Sequence, residues 1–195
     1  MSYPDTLTPD FSARDMLPAT DPLISHRWSP RAFVKTAISD SDVATLFDAA
    51  RWAPSCFNEQ PWRFYVSRDE TFDDFLKLLN ESNQQWAKNA SLIGFVVARK
   101  TFSQNDSPNP YARFDSGAAW FALTMQARRM GLYTHGMGGL DHEAAAQYLK
   151  LDASQYEVVC GFALGVATGP ETLAENFAVR EMPSPRKPLS EVLFR

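Results

Sequence analysis

Two long apolar runs, Leu92–Ala98 and Tyr156–Ala167, set the strongest limit on how this chain folds. A strand that is apolar at nearly every position, rather than at every second one, has to be covered on both faces. The cover is legible nearby. Ser39 and Asp42 make a capping-box-like start, after which Val43, Leu46, Phe47 and Ala50 recur on one helical face until Pro54. From Asp115 to Met130, Ala118, Phe121, Ala122 and Met125 keep helical spacing while Ala119, Trp120 and Leu123 widen the apolar face, so this helix is central or lies at a subunit interface. Gly131 fits its C-terminal cap. Shorter elements are read at Phe64–Val66 (strand), Phe72–Asn80 (helix) and Asp141–Leu149 (helix). Helices and strands alternate without a regular βαβ rhythm, which predicts an α+β domain with one sheet between helices.

Residues 1–22, with Pro4, Pro9, Pro18 and Pro22, predict an arm without a long helix, suited to lie on a partner in an oligomer. Residues 23–195 then form a single domain. Residues 101–112 read as a surface excursion carrying Phe102 and Tyr111, which makes the span 81–115 the candidate lid. The tail, 186–195, returns to apolar alternation.

The formal net charge is −4 and no Lys/Arg run is present, so nucleic acid is not an expected partner. The longest apolar stretch is too short to cross a bilayer, and no basic-then-apolar leader opens the chain. Cys56 and Cys160 are too few for a disulfide framework, although one bridge stays open. A soluble, cytoplasmic protein is expected.

Two polar clusters frame the first helix. In extended chain Arg27, Ser29 and Arg31 point the same way, which suits an anion. Ser55, Asn58 and Gln60 supply neutral donors and acceptors on a Pro-bounded loop, 54–62. The pair suggests a ligand with a phosphate at one end and a polar heterocycle at the other.

Here the chain resembles the nitroreductase family of FMN-dependent NAD(P)H oxidoreductases. The resemblance runs through Arg-x-Ser-x-Arg-x-Phe at Arg27–Phe33, Ala53–Trp62, Gly136-Met137-Gly138-Gly139 and Arg186-Lys187-Pro188, four motifs in family order. It implies a central, mostly antiparallel sheet flanked by helices, in an intertwined homodimer with two FMN at the interface. By motif match, Arg27, Ser29, Arg186 and Lys187 fall at the phosphate end, where guanidinium groups give bidentate, charge-assisted hydrogen bonds, and Trp28 falls among the cofactor-binding residues. The family varies at Arg186 and Lys187, and the motif does not say which of them holds the phosphate. Arg31 falls beside the pyrimidine end of the ring, where a fixed cation stabilises reduced flavin; its other reading is a helix-entry salt bridge. Gly136, Met137, Gly138 and Gly139 match the segment crossing the flavin face, with the Gly138 N–H directed to N5; otherwise they make an ordinary Gly-rich turn. Pro54, Ser55, Cys56 and Asn58 match residues that reach the ribityl chain and ring from the second subunit.

The implied reaction is ping-pong transfer of hydride from NAD(P)H, through flavin N5, to a nitroaromatic, quinone or enone. No metal is required, and Trp86, Phe102, Tyr111 and Phe114 are candidate walls of the substrate slot. NADH and NADPH are not distinguished, because no segment reads as a 2′-phosphate pocket. The competing expectations are a specialised flavin dehalogenase or flavin-fragmenting relative, a non-catalytic FMN-storing or sensing protein, and a thiol hydrolase using Cys56. The last lacks a recognisable base among His26, His135 and His142. Cys160 is expected to be core packing.

Overall fold

A computed structural model describes residues 3–195. In chain order the elements are α1 (Pro22–Ser25), β1 (Phe33–Val34), α2 (Asp40–Arg51), β2 (Trp62–Val66), α3 (Phe72–Lys77) and α4 (Glu81–Ala87). They continue with β3 (Leu92–Arg99), α5 (Ala112–Arg129), β4 (Tyr133–Met137), α6 (His142–Tyr148), β5 (Tyr156–Ala167) and α7 (Glu175–Ala178).

The two apolar runs are the neighbouring strands β3 and β5 at the middle of one antiparallel sheet. β2 pairs with β3, while β1 and β4 pair with β5. Period-two alternation along β3 divides the core in two. Ile93, Phe95 and Val97 face one way, into a cluster with Phe72, Phe75, Trp86 and Phe177; Leu92 and Val96 face the other, with Leu46, Leu123 and Leu132. The first face is thus covered by α3, α4, α6 and α7, the second by α2 and α5. Gly94 fits the second face because the Phe162 ring lies where a side chain would go: a Cβ there would stand 2.2 Å from its Cζ.

Capping follows the sequence. The Ser39 hydroxyl accepts the Asp42 N–H at the start of α2, and the Asp141 carboxylate accepts that of Ala144 at the start of α6. Gly131, at φ +85°, turns the chain out of α5 and also lets the N-terminal segment cross it, since a Cβ would meet the Tyr3 carbonyl oxygen at 2.2 Å. The arm is fastened to its own chain. Tyr3 N–H donates to the Met130 carbonyl (2.8 Å), the Tyr3 hydroxyl donates to Asp42 (2.7 Å), and Asp5 pairs with Arg128 (2.8 Å).

Several expectations change. Gly136 and Met137 lie in strand β4, paired with Phe162 and Gly161, which removes the alternative reading of these two as turn residues. The helix expected over Phe72–Asn80 stops at Lys77, and a second one, α4, starts with Asn80 as its cap. The tail alternation makes no strand, and residues 189–191 form one 3₁₀ turn. Of the span 81–115, residues 81–99 hold α4 and the innermost strand, and only 100–111 is an excursion. That excursion is tied down by Phe102 N–H to Ser107 O (2.9 Å) and by Ser103 to Glu59 (2.9 Å). Both cysteines are free. Among the described residues, no helix is long and apolar enough to cross a membrane.

Candidate functional site

Residues 27–31 lie between α1 and β1 outside any helix or strand, and Arg27, Ser29 and Arg31 all line one cavity of about 310 Å³. Arg14 of the arm, His135 of β4, and Arg180, Ser184 and Arg186 of the segment after α7 complete its walls. Two ends of the polypeptide therefore meet there. The Arg27 guanidinium donates to the Ser29 hydroxyl (2.9 Å), and Arg186 donates to the carbonyls of Ser184 (3.1 Å) and Pro185 (3.0 Å). Arg14 donates through Nε to the Ser184 carbonyl (3.0 Å) and through Nη1 to those of Ser25 and Arg27, while its buried Nη2 has no partner.

The electrostatics are one-sided. Among the described residues, none of Arg14, Arg27, Arg180 or Arg186 has a carboxylate in ion-pairing range. Burial, and then the positive charge of Arg186, lower the pKa of Arg27; burial, Arg186 and Arg27 do the same to Arg14. Guanidinium groups stay charged at neutral pH regardless, so the cavity is a concentration of positive charge that an anion would relieve. A phosphate monoester, with close to two negative charges and three acceptor oxygens, fits a cavity lined by Arg14, Arg27, Ser29 and Arg186. A larger cleft of about 580 Å³, bounded by Lys35, Asp40, Arg68 and Glu70, mixes both signs and has no such excess.

Arg31 differs from its neighbours. Its guanidinium lies 3.7 Å from Glu181, whose side chain is 1% exposed and whose Oε1 accepts the backbone N–H of Arg31 (2.5 Å) and Ala32 (2.8 Å). The salt-bridge alternative for Arg31 is thus present, with a partner 150 residues away. His135 packs against Trp86, with ring centroids 4.6 Å apart, and its Nδ1 donates to the Pro30 carbonyl (2.9 Å). Burial pushes its pKa down to about 4, and Arg31 and Arg27 push the same way, so the imidazole is neutral above that pH. It joins the 27–31 segment to β4 without adding another positive charge.

Beyond His135 the chain continues into Gly136–Gly139. Gly136 and Gly138 are exposed; a Cβ at Gly138 would meet nothing within 4 Å, so its backbone lies open to an approaching group. Gly139 is packed against Asn80 and accepts from the Asn80 N–H (3.0 Å) and the Asn83 amide (2.9 Å).

The second polar cluster lies elsewhere. Cys56 and Asn58 sit on a 3₁₀ turn with Ser55 as its N-cap, and Phe57, Asn58 and, just beyond it, Gln60 take left-handed backbone angles (φ 52°, 56° and 50°). The turn is held by Cys56 N–H to Asp115 (3.0 Å) and Gln60 N–H to the Ser55 hydroxyl (3.0 Å). None of Pro54, Ser55, Cys56 or Asn58 lines the arginine cavity. Lys187 does not either: it faces Glu191 at 3.7 Å and borders the adjoining cleft, which leaves Arg186 as the member of that pair in the cavity. Trp28, 6% exposed, lines the cavity and packs edge-on against Tyr133.

Trp86, expected as a slot wall, is 1% exposed and belongs to the core between Phe33 and His135, because α4 turns it onto the sheet. Phe114 and Tyr111 are exposed, and Phe102 packs edge-on against Phe57 at 5.8 Å. Arg14, His135, Arg180, Glu181 and Ser184 were not legible as site residues. Arg14 sits in a Pro-rich arm with no local pattern, and the others are joined to the cavity only by long-range packing.

Comparison with known proteins follows the same lines. Residues 24–92 and 73–166 match the family model described as "Nitroreductase family". A relative from Archaeoglobus fulgidus, provisionally named NADH dehydrogenase/NAD(P)H nitroreductase, is 33% identical over 132 residues, 66% of this chain and 72% of that one. The 4-nitrobenzoate reductase of Pseudomonas putida is 25% identical over 214 residues, 86% of this chain and 91% of that one. The crystal structure of an oxidoreductase containing FMN superposes with a TM-score of 0.88 at 39% identity, covering 100% of this chain and 96% of that one.

Proposed function

The chain belongs to the nitroreductase family, and from that membership we propose that it is an FMN-dependent oxidoreductase that takes hydride from NAD(P)H and passes it, by a ping-pong mechanism, to an electron-poor acceptor. The observation that carries this reading is the arginine cavity, which has positive charge, a hydroxyl and a buried donor and no carboxylate to answer most of them. FMN, when bound, supplies the ring that accepts and returns the hydride.

The chain's own residues bind and orient. Arg27, Ser29 and Arg186 hold the phosphate. Arg31 supplies the cation on the ring side, with Glu181 fixing its backbone and reducing its net charge. The open backbone at Gly138 is the N–H donor to the ring, with the strand residues Gly136 and Met137 leading up to it and Gly139 following. Pro54, Ser55, Cys56 and Asn58 come from a second copy, since they lie outside the cavity of their own protomer. A homodimer also gives cover to the exposed Trp52, Phe57, Phe114 and Phe121. A nitroaromatic acceptor is favoured by the likeness to the 4-nitrobenzoate reductase.

Purified protein is expected to be yellow, with FMN released on denaturation, and to bleach anaerobically with NADH or NADPH and recolour on addition of a nitroaromatic or quinone. Colour without bleaching would identify a non-catalytic FMN-binding protein. A colourless protein that does not take up added FMN would refute the proposal.

A further inference from the structure

We infer that Arg14 is a phosphate-binding residue delivered by the N-terminal arm, and that the arm is thereby a clasp whose closure an anion in the cavity strengthens. This rests on the reading of the cavity as the site for the FMN phosphate, and it adds a residue that none of the four sequence motifs contains.

Arg14 is 9% exposed, an unusual degree of burial for a charge with no carboxylate partner. Three carbonyls account for two of its nitrogens: Ser25 and Arg27 on the phosphate-side segment, and Ser184 on the segment after α7. One guanidinium therefore ties together three stretches that are distant in sequence. Its third nitrogen, Nη2, is shut off from solvent and meets no acceptor, while Arg14 borders the cavity that holds Arg27 and Arg186. Both of those arginines repel it. A buried charge beside like charges is costly, and that cost falls when an anion occupies the cavity that Arg14 borders. The Phe11 ring stacks on His26 at 4.6 Å and lies 5.1 Å from the Arg14 guanidinium, so the arm's own packing aims Arg14 into place.

Arm closure and phosphate binding are then linked, each favouring the other by the same factor. Free phosphate should close the arm weakly, FMN strongly, and riboflavin, which carries the ring but no phosphate, not at all.

The test measures FMN and riboflavin dissociation constants by fluorescence quenching for wild type, Arg14→Gln and Arg14→Lys, with limited proteolysis of residues 1–20 followed by mass spectrometry. Loss of one charge-assisted hydrogen bond and one cation predicts about a ten- to hundredfold weaker FMN affinity in R14Q. Riboflavin affinity should stay within about threefold on the same scale, and R14K should recover part of the loss. FMN, and millimolar phosphate to a lesser degree, should slow cleavage of the arm in wild type and not in R14Q. Equal weakening of FMN and riboflavin in R14Q would make Arg14 merely structural and overturn the inference. So would unchanged FMN affinity in R14Q, or equal protection of the arm by riboflavin. Wild-type protein that binds neither flavin would instead refute the FMN reading, and the inference with it.

Discussion

Glu181 should be the residue whose neutralisation most clearly exposes the charge imbalance of the cavity. Its carboxylate is buried, accepts two backbone N–H groups and stands 3.7 Å from the Arg31 guanidinium. Glu181→Gln keeps an amide oxygen for the two N–H donors but turns two charge-assisted hydrogen bonds into neutral ones, a loss of about 1 kcal/mol each at most. The Coulomb attraction at this distance is about 4 kcal/mol at an effective dielectric of 20, most of it offset by the desolvation no longer required. A net destabilisation of about 2 kcal/mol follows, which for a domain of this size lowers Tm by roughly 4–8 °C. Glu181→Ala, which also leaves both N–H groups without an acceptor, should cost about 3–5 kcal/mol.

The sign of the anion response distinguishes this argument from a general loss of packing. Without Glu181 nothing offsets the arginines, so phosphate or sulfate should raise the Tm of Glu181→Gln by more than it raises that of wild type. The assay is a thermal melt of cofactor-free protein in chloride and in phosphate at matched ionic strength. A Glu181→Gln protein that melts with wild type, or gains no more than wild type from phosphate, would refute the reasoning.

Three further outcomes are expected. Gly94→Ala drives a methyl into the Phe162 ring and should cost about 1–3 kcal/mol in denaturant melts, most of it recovered by a smaller residue in Gly94→Ala/Phe162→Leu; an unchanged single variant would contradict the contact. His135 has its folded pKa depressed to about 4, so its contribution is fully present above about pH 6.5 and is lost as the pH falls through 4. Relative to His135→Gln, wild type should therefore lose up to about 3 kcal/mol between those limits in pH-dependent melts, the partial exposure of the ring reducing the figure; parallel curves would show that the imidazole is not held neutral. Both cysteines are partly exposed, but burial pushes the Cys160 thiol up to about 11, so iodoacetamide at pH 8 should label Cys56 well before Cys160 in native protein; peptide mapping that finds the two alkylated at equal rates would contradict the raised pKa.

Local signals carried much of this fold. Ser39, Asp141 and Gly131 act as caps because each does so through its own side chain or backbone freedom within one turn. The runs Leu92–Ala98 and Tyr156–Ala167 announce buried central strands because solvent exclusion on both faces needs apolar residues at nearly every position. Local signals also left choices open. Gly136 and Met137, for which a Gly-rich turn was the alternative reading, are held in a strand by pairing with β5, a register that only the assembled sheet supplies.

The sequence by itself determined that Arg27, Ser29 and Arg31 share a side, since alternation in extended chain is a property of three consecutive pairs of dihedrals. Only the tertiary structure decided what stands opposite them: Arg14 from the arm, Arg186 from the far end, and Glu181 beneath Arg31, 150 residues away. A one-dimensional pattern reports the chain's own periodicity. The electrostatic character of a cavity depends on distances across folded layers, and no residue's local context contains them.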